Sequence, residues 1–542
     1  YVERIGYAFP SKPALQDSVY LINTDKVWQT QINGLNITGN LNDRNITICI
    51  IDTGINYSHS DLGGCPRTNN INTAGCNKII GGHDYDALFG DDDPMDENGH
   101  GTHVAGIVAA NGSIKGVAFD AKLVALRASG IPNIKSSIDW CINNRLTYNI
   151  SVISISQVIT YLNGSEIIFS SSCDNEDDMI RAANSARQYG ILVVSSSGNS
   201  GSKVGITEPA CGSNVTSVSA TYDKNNMSVT WTTPDPDCTD SNTYIDQIAC
   251  GSNRASILDL LAPGGRINST YISPQNYTEL HGTSMSAPHV SGLAALMKQA
   301  NNSLTPSEIE SIMRRTGKPI YDSATKLTFP RIDAYRAVMA TLYDVFVSDL
   351  NETYTDAIGN KIFAFSIFND MNNSINVSWS LDIGNGTKIN SNSNISLPAF
   401  NETLVYVQYF YDKAGEFNVT TSIIPNQGSA ANQAITIFVN KPNVKVTNLS
   451  ILNSTGTRRT VEFWIENNST IAQSSIYWQL NRTGEVSINS TQAISLANSS
   501  RTFVYVEFNY ATGGNHNITA IVDYNSTITE INEADNLITI SD

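Results

Sequence analysis

The chain has 542 residues, which is too long for one ordinary domain and predicts two to four domains. Its formal net charge of −17 at pH 7 argues against nucleic acid or an anionic membrane surface as a partner, because both would repel it. The sequence contains no run of about 20 apolar residues, so we expect no transmembrane helix.

A short run of β-branched apolar residues from Ile46 to Ile51 is typical of a central parallel strand. Asp52 follows it directly and is expected at the carboxyl end of the sheet, where open α/β sheets place their sites. His100 opens a predicted apolar helix further along. A zinc site at His100 and His103 is not favoured, because the pattern lacks the glutamate of HExxH and a third ligand. His103 is therefore predicted to be structural.

Strands and helices then alternate, which predicts βαβ units and a parallel sheet. Asn199 lies in the serine-rich stretch from Ser195 to Gly201, directly after a predicted buried strand. Ser284 follows a Gly-Thr pair and precedes a run of small apolar residues, so we expect it at the N-terminus of a buried helix. There the helix dipole and free N–H groups favour negative charge.

Together these four stretches resemble the subtilisin-like serine proteases (subtilases) over roughly residues 15–340. The chain order aspartate, histidine, serine is that of the family. The resemblance implies a triad of Asp52, His100 and Ser284, with Asn199 as the side-chain donor of an oxyanion hole. It also implies an α/β catalytic domain, a parallel sheet flanked by helices, over residues 15–343.

Both rims of the expected substrate cleft depart from the family pattern. Subtilases usually continue one rim as Ser-Leu-Gly-Gly, whereas this chain has Ser156-Gln157-Val158-Ile159. The opposite rim, which begins at Ala128, is several residues shorter. Side chains in place of glycines restrict the approach of a substrate backbone, so we expect a narrowed or occluded cleft. Glu208, near the family's specificity pocket, would favour a basic side chain in the substrate.

An acidic loop precedes His100, where many subtilases bind calcium. Hard cations take several carboxylate and carbonyl oxygens from flexible loops. So much like charge near a catalytic histidine would be costly without a cation. We therefore expect a structural Ca²⁺ ion, and a solvated acidic loop is the alternative. The predicted ligands are Asp84, Asp91, Asp93 and Asp96.

All eight cysteines fall in the catalytic part, and none has the CxxC spacing of a zinc site. Disulfides are expected in a secreted protein. Two predicted pairs, Cys65–Cys76 and Cys238–Cys250, each close a local insertion, and Cys173–Cys211 is a third prediction. Cys49, in an apolar strand, and Cys141, in a helix, are expected to be free buried thiols.

The composition changes after about residue 344, where short alternating strands replace helical periodicity. An internal repeat is visible at an offset of 99 residues, with Thr403–Tyr409 matching Thr502–Phe508. At the same offset Trp379 matches Trp478 and Phe365 matches Trp464. The repeat predicts two all-β immunoglobulin-like sandwich domains, residues 344–441 and 442–542.

The segment from 521 to 536 resembles a CARDB-type extracellular module. Such modules usually carry no chemistry, so we expect the β-domains to act as spacers or to dock to a cell surface, a glycan or another protein. Asp523, Glu530 and Asp535 are candidate cation ligands, although surface acids are the better interpretation.

The sequence contains 27 Asn-x-Ser/Thr sequons, and sixteen of them follow residue 345. This density favours a secreted or cell-surface glycoprotein, with compositional bias as the alternative. Residues 1–14 resemble the tail of a subtilase propeptide, and we interpret them as a propeptide remnant or an N-terminal extension. The chain begins with Tyr1 and lacks a signal peptide, so we infer a processed mature chain.

The sequence thus predicts a secreted serine endopeptidase that acts on peptides or proteins through an acyl-enzyme. An extracellular structural or adhesive glycoprotein with a silent protease fold is the alternative. The low charge, the sequon load and the altered cleft rims leave room for it, but the intact quartet of Asp52, His100, Asn199 and Ser284 speaks against it. A lipase is disfavoured, because Gly282-Thr283-Ser284-Met285-Ser286 lacks the second glycine of Gly-x-Ser-x-Gly and the triad order differs. The sequence does not indicate the oligomeric state.

Overall fold

The computed structural model describes residues 15–541 apart from 33–34, 42–43, 89, 161–164, 233–236, 356–358, 412–414, 440–442, 456, 469–472, 498, 511–515 and 524–535. The predictions for residues 1–14, Glu530 and Asp535 lie outside the described residues. The chain divides into two compact units, Tyr1–Leu342 and Tyr343–Asp542.

The first unit is built on a nine-stranded sheet. Its strands are β1 (Thr47–Asp52), β2 (Ile79–Asp84), β3 (Lys122–Arg127), β4 (Ile150–Ile155), β5 (Leu192–Ser196), β6 (Val215–Thr221), β7 (Leu260–Pro263), β8 (Lys318–Asp322) and β9 (Leu327–Arg331). Their order in the sheet is β8-β9-β7-β6-β5-β4-β1-β3-β2. Strand β8 pairs antiparallel with β9, and the other neighbouring strands are parallel. The predicted α/β class with a parallel sheet is therefore confirmed.

The central strands are buried along their whole length. Every residue of β1, β4 and β5 is buried, as expected for parallel strands that are covered on both faces. The described helices of this unit are α1 (Leu15–Leu21), α2 (Thr24–Gln29), α3 (His100–Ala109), α4 (Gly130–Asn143), α5 (Arg145–Tyr148), α6 (Asp178–Ala186), α7 (Thr283–Ala300), α8 (Pro306–Thr316) and α9 (Ala334–Leu342).

Helix α7 is the central helix of the unit. It is buried from Thr283 to Gln299 and packs against α3 and against strands β4, β5 and β6. Small residues allow this close packing, since a Cβ atom at Gly292 would lie 2.7 Å from Cβ of Val117. None of the described helices is long and apolar enough to cross a membrane.

Short antiparallel pairs complete the described strands of the first unit. They are Gln31–Ile32 with Leu35–Asn36, Asn40–Leu41 with Arg44–Asn45, Ile168–Phe169 with Ile206–Thr207, Val229–Trp231 with Cys238–Asp240, and Ile267–Thr270 with Tyr277–Leu280. Three 3₁₀ turns lie at Ser60–Leu62, Ile71–Thr73 and Arg187–Tyr189.

All eight cysteines form disulfides, and the prediction for Cys49 and Cys141 was wrong. These two residues are bonded to each other and join strand β1 to helix α4. They lie 92 residues apart in the chain, so only the packing of the helix on the sheet brings them together. The three predicted pairs are present: Cys65–Cys76, Cys173–Cys211 and Cys238–Cys250.

The described part of the second unit consists of β-strands, which confirms its predicted all-β class; its immunoglobulin-like identity stays a prediction. In its first half a four-stranded sheet has the order Asn401–Phe410, Asn360–Asn369, Val345–Thr355, Ala430–Ala431. The other sheet has the order Lys388–Asn390, Ile375–Asp382, Gly415–Pro425, Ala434–Val439, with Ile395–Leu397 also paired to Ile375–Asp382. One core takes side chains from both sheets, including Phe363 and Leu381.

The second half of this unit repeats the arrangement around a separate core that includes Phe463 and Leu480. A three-stranded sheet has the order Val444–Thr455, Arg458–Asn467, Ser500–Asn509. Strand Gln473–Ile476 pairs with Ile494–Leu496. A four-stranded sheet has the order Ile488–Asn489, Trp478–Arg482, Asn517–Val522, Leu537–Ser541.

The offset of 99 residues fails in one strand of the repeat. Phe365 packs edge-on against Trp379 with ring centroids 5.5 Å apart. In the second half Trp478 makes the same contact, also at 5.5 Å, with Phe463 and not with Trp464. The match of Phe365 with Trp464 was therefore wrong, because the strand has shifted by one residue and such a shift turns each side chain to the opposite face.

Candidate active site

The candidate site lies at the carboxyl ends of three adjacent parallel strands, two of which position the predicted residues Asp52 and Asn199. Asp52 is the last residue of β1, Ser156 directly follows β4, and Asn199 lies three residues beyond β5. Strand β4 lies between β1 and β5 in the sheet. Helix packing adds the other two residues, because α3 and α7, which begin at His100 and Thr283, are in contact.

Asp52 and His100 form a hydrogen-bonded pair. Nδ1 of His100 donates to Oδ1 of Asp52 at 2.6 Å, and the Asp52 side chain is fully buried. Burial lowers the pKa of His100, but the charge of Asp52 and its hydrogen bond outweigh burial, so the pKa is raised above 6.5. With Nδ1 occupied, Nε2 is the nitrogen left to exchange a proton with another group.

Gly101 explains why a glycine follows the histidine. A Cβ atom at this position would lie 2.1 Å from the carbonyl oxygen of Gly54 and 3.1 Å from Oδ1 of Asp52. Any side chain would therefore push the first turn of α3 away from the end of β1. The Asp52–His100 contact requires this close approach.

Asp96 holds the start of helix α3. Its carboxylate accepts hydrogen bonds from the N–H groups of Gly99 and Thr102, both at 2.9 Å. It also accepts from the hydroxyls of Thr102 and Thr53. A negative charge at a helix N-terminus is favourable. Asp96 therefore acts as a helix cap beside His100, a role that the metal prediction did not foresee.

Ser284 lies in the first turn of α7 and is 8% exposed. Its Oγ donates to the carbonyl oxygen of Ser156 at 2.9 Å. The N–H groups of its neighbours are occupied, since Thr283 donates to Oδ1 of Asn199 and Met285 to the Gly282 carbonyl. Among the described residues none accepts from the N–H of Ser284, so this group can bind an anion beside its own side chain.

The amide of Asn199 is fixed in one orientation. Its Oδ1 accepts from the backbone N–H of Thr283 at 2.9 Å and from the Thr283 hydroxyl at 3.1 Å. A backbone N–H can only donate, so the oxygen must face Thr283 and the Nδ2 amino group must face away from it. Asn199 thus presents donors rather than acceptors near the start of α7.

Like Asp96, the other three predicted calcium ligands accept hydrogen bonds from nearby groups. Asp84 accepts from the N–H groups of Asp86 and Ala87. Asp91 accepts from the N–H of Asp93. Asp93 in turn accepts from the hydroxyl of Tyr57 at 2.5 Å and from Arg67 at 3.0 Å.

The structure shows no assembled calcium site among these four carboxylates. In the described part of the chain, no group of three or more His, Cys, Asp or Glu side chains is arranged to hold a metal ion. The four carboxylates are not brought together as a ligand set. Calcium binding therefore stays a prediction, and no step of the chemistry below depends on it.

His103 has the structural role that the sequence predicted. Its ring is completely buried, and Nε2 lies 3.0 Å and 3.1 Å from the carbonyl oxygens of Ile267 and Thr278. Burial, together with the nearby charge of His100, lowers the pKa of His103 to about 3. The ring is therefore neutral and ties α3 to the hairpin of Ile267–Thr270 and Tyr277–Leu280.

The cleft rim is bridged by a side chain. Nε2 of Gln157 donates to the carbonyl oxygen of Ala128 at 2.7 Å and so links the segments that follow β4 and β3. This bridge lies next to Ser156, the partner of Ser284. The Ala128 carbonyl is therefore already hydrogen-bonded, and the narrowed cleft stays a prediction.

Glu208 is buried and faces other acids. Burial, together with the charge and hydrogen bond of Asp177 and the charge of Glu176, raises the pKa of Glu208 to about 7. The side chain thus contacts another carboxylate. The preference for basic substrates that we inferred from this residue stays a prediction.

Two residues near Asn199 were not found from the sequence. The carboxylate of Glu166 accepts from the backbone N–H of Asn199 at 2.7 Å, and Asn253 donates to the same carboxylate at 2.7 Å. No local motif marks either residue, because both act only through contacts with distant parts of the chain.

Comparison with known proteins gives a consistent family. Residues 43–334 match the profile of the subtilase family, Peptidase_S8. A thermophilic serine proteinase of Bacillus sp. (strain AK1) is 33% identical over 298 residues, which cover 54% of this chain and 61% of that protein. Subtilisin BL of Lederbergia lenta is 34% identical over 281 residues, which cover 50% of this chain and 82% of that protein.

Among solved structures, that of a protease from Pseudoalteromonas arctica PAMC 21717 has 26% identity and a TM-score of 0.44, with 61% of this chain and 100% of that chain covered. The family profile spans more than half of the present sequence. The chain therefore belongs to the subtilase family.

Proposed function

We propose that this chain is a secreted serine endopeptidase that hydrolyses peptide bonds with Ser284 as nucleophile, His100 as general base and Asp52 as the group that orients His100. Two contacts support the proposal: the Asp52–His100 hydrogen bond at the end of β1, and the hydrogen bond of Ser284 to Ser156, which directly follows the adjacent strand β4. Serine is a weak nucleophile, and a base with a fixed tautomer is what activates it.

In the first step Nε2 of His100 accepts the hydroxyl proton of Ser284 while Oγ attacks the peptide carbonyl carbon. The hydroxyl must first leave its resting partner, the Ser156 carbonyl. Such contacts commonly rearrange when a substrate binds. The buried carboxylate of Asp52 stabilises the imidazolium that forms.

The tetrahedral oxyanion is held by the Nδ2 group of Asn199 and the backbone N–H of Ser284. Both donors are available: Nδ2 of Asn199 faces away from Thr283, and none of the described residues accepts from the N–H of Ser284. Collapse of the intermediate breaks the C–N bond, and His100 gives its proton to the leaving amine. Water then attacks the acyl-enzyme with His100 again as base, and the new carboxylic acid leaves with Ser284 restored.

Several features support an extracellular location. The 27 sequons and the four disulfides are typical of secreted proteins. One relative of this chain is named as a minor extracellular protease of Bacillus subtilis. We propose that the all-β unit Tyr343–Asp542 holds two immunoglobulin-like domains that dock the enzyme to a surface, a glycan or a protein.

The direct test is labelling with a fluorophosphonate probe, which reacts with activated serines. We expect the native chain to be labelled and the S284A variant not to be. The neighbouring S286A variant is the matched control and should keep its label, because Ser286 donates to the Ala262 carbonyl and not to a catalytic group. A folded chain that is not labelled, or label that persists in S284A, would overturn the proposal.

A further inference from the structure

Glu166 is in direct contact with the segment that carries Asn199. It is 7% exposed, and its carboxylate accepts three N–H donors. Oε1 accepts from the backbone N–H of Asn199 at 2.7 Å. Oε2 accepts from the backbone N–H of Ser200 at 3.1 Å and from Nδ2 of Asn253 at 2.7 Å. In the described part of the chain, no cationic side chain forms an ion pair with it.

Asn253 also holds this segment. It is completely buried, its N–H donates to the carbonyl of Gly198 at 3.0 Å, and its Oδ1 accepts from the N–H of Ser202 at 2.9 Å. Residues 198–202 are therefore fixed at both ends by a connected polar network. A buried network in which each polar group is satisfied is rigid.

Gly198 shows how closely this segment fits. Its φ of 100° lies in the region that favours glycine, and a Cβ atom would lie 2.6 Å from Oε2 of Glu166 and 2.3 Å from Nδ2 of Asn253. The backbone at Gly198 therefore lies so close to the Glu166 carboxylate that no side chain would fit between them. This leaves little freedom for the residue that follows, which is Asn199.

We propose that Glu166 is a positioning residue for the oxyanion donor Asn199, an inference that rests on the proposed peptidase function. A buried carboxylate without a cation is costly, and here three N–H groups offset that cost. One of the three belongs to the residue whose side chain would bind the oxyanion. Glu166 fixes the Asn199 backbone, Thr283 fixes the Asn199 amide oxygen, and together they aim the Nδ2 group.

Replacing Glu166 with glutamine isolates the contact of interest. Glutamine has the same shape but only one acceptor oxygen. That oxygen is expected to stay with the two donors at Oε2, so the new amino group faces the N–H of Asn199, where two donors repel each other. The E166Q variant therefore displaces Asn199 while it preserves the contacts with Ser200 and Asn253.

The test is a double-mutant cycle of E166Q and N199A, with kcat and KM measured on a chromogenic peptide anilide. Rates are expressed per active site titrated by fluorophosphonate, so that misfolded chains are not counted. We expect E166Q to lower kcat about 10- to 100-fold with little change in KM, as for a misplaced catalytic group. In the N199A background the same change should have almost no further effect.

The control is E310Q, the same substitution at a half-buried glutamate on α8 that bonds Arg187 and Thr216. It should leave kcat unchanged. If E166Q does not fold, E166D, which keeps the charge but shortens its reach, takes its place in the cycle. An unchanged kcat, or equal effects of the Glu166 substitution with and without Asn199, would overturn the inference. Failure of the proposed peptidase function would instead appear in the fluorophosphonate test, as a folded chain that is not labelled or as label that persists in S284A.

Discussion

Nδ1 of His100 and Oδ1 of Asp52 lie 2.6 Å apart at the carboxyl end of the buried strand β1. The other carboxylate oxygen, Oδ2, is buried and has no hydrogen-bond partner among the described residues. Oδ1 thus accepts both from the imidazole and from the backbone N–H of Thr53, at 2.8 Å. Its charge and hydrogen bond outweigh the effect of burial on His100 and raise the pKa of that ring above its ordinary value.

The first prediction concerns the acid limb of the pH–rate profile. His100 must be neutral to act as base, so kcat/KM should rise with pH as the ring loses its proton. Because the pKa of His100 is raised, the midpoint should lie above about 6.5, the ordinary value for histidine. The profile of kcat/KM against pH on a non-titrating peptide substrate measures this midpoint. A midpoint below 6 would contradict the structure.

The second prediction is the effect of the isosteric D52N change. An asparagine keeps the shape but removes the charge that supports imidazolium, and its neutral amide fixes the tautomer of His100 less firmly than the carboxylate does. We expect kcat to fall by about 10⁴, with KM nearly unchanged. The acid limb of the residual activity should move to lower pH, because the pKa of His100 loses the charge that raises it. A variant with unchanged kcat would exclude Asp52 from the mechanism.

The third prediction concerns Gln157, whose amide reaches the Ala128 carbonyl at 2.7 Å. The Q157M variant has a side chain of similar length without the donor, and it should free that carbonyl for an extended substrate. One hydrogen bond is worth about 0.5–1.5 kcal/mol, so KM for long peptides should fall about two- to tenfold. Peptides too short to reach this rim should show no change, and an equal effect on both would argue against a specific contact.

The local motifs predicted most of the site, because each of its main residues follows a recognisable strand or begins a helix. Asp52 follows an apolar β-branched run, and His100 and Ser284 begin the apolar helices α3 and α7. Their chain order then matched that of the subtilases, and this resemblance implied the triad. Apolar strands and helices of this kind can be recognised from the pattern of hydrophobic residues over a short stretch of a single sequence.

The residues that the sequence did not reveal act at a distance. Glu166 reaches Asn199 from 33 positions earlier in the chain, in a stretch where the family pattern stops. The Cys49–Cys141 bond depends on how α4 packs against β1. Asp96 looked like a metal ligand because an acidic loop has the same composition whether its carboxylates bind a cation or cap a helix.

The fourth prediction concerns that disulfide. It closes a loop of 92 residues between β1 and α4, and removing such a bond typically costs 2–5 kcal/mol, roughly, of the free energy of unfolding. We expect the C49A/C141A variant to lose stability in this range in urea titrations, measured in an S284A background so that the chain cannot digest itself. The unfolded, unreduced parent should contain no free thiols in a thiol assay. Two free thiols per chain would contradict the assignment.

The fifth prediction concerns Asp223, which is 6% exposed and whose carboxylate oxygens have no hydrogen-bond partner on another described residue. Burial raises its pKa from 3.8 to about 7, with Lys224 acting in the opposite direction.

Between these values the folded chain holds a proton that the unfolded chain has lost, so the carboxyl destabilises the fold increasingly as the pH rises from about 4 to 7. D223N removes this effect, on the order of 4 kcal/mol at pH 8. In the S284A background, D223N should therefore raise Tm at pH 8 but not at pH 4.5, whereas D237N at an exposed aspartate should leave Tm unchanged at both. A D223N variant that is less stable at pH 8 would show that the carboxylate has a partner that stabilises it.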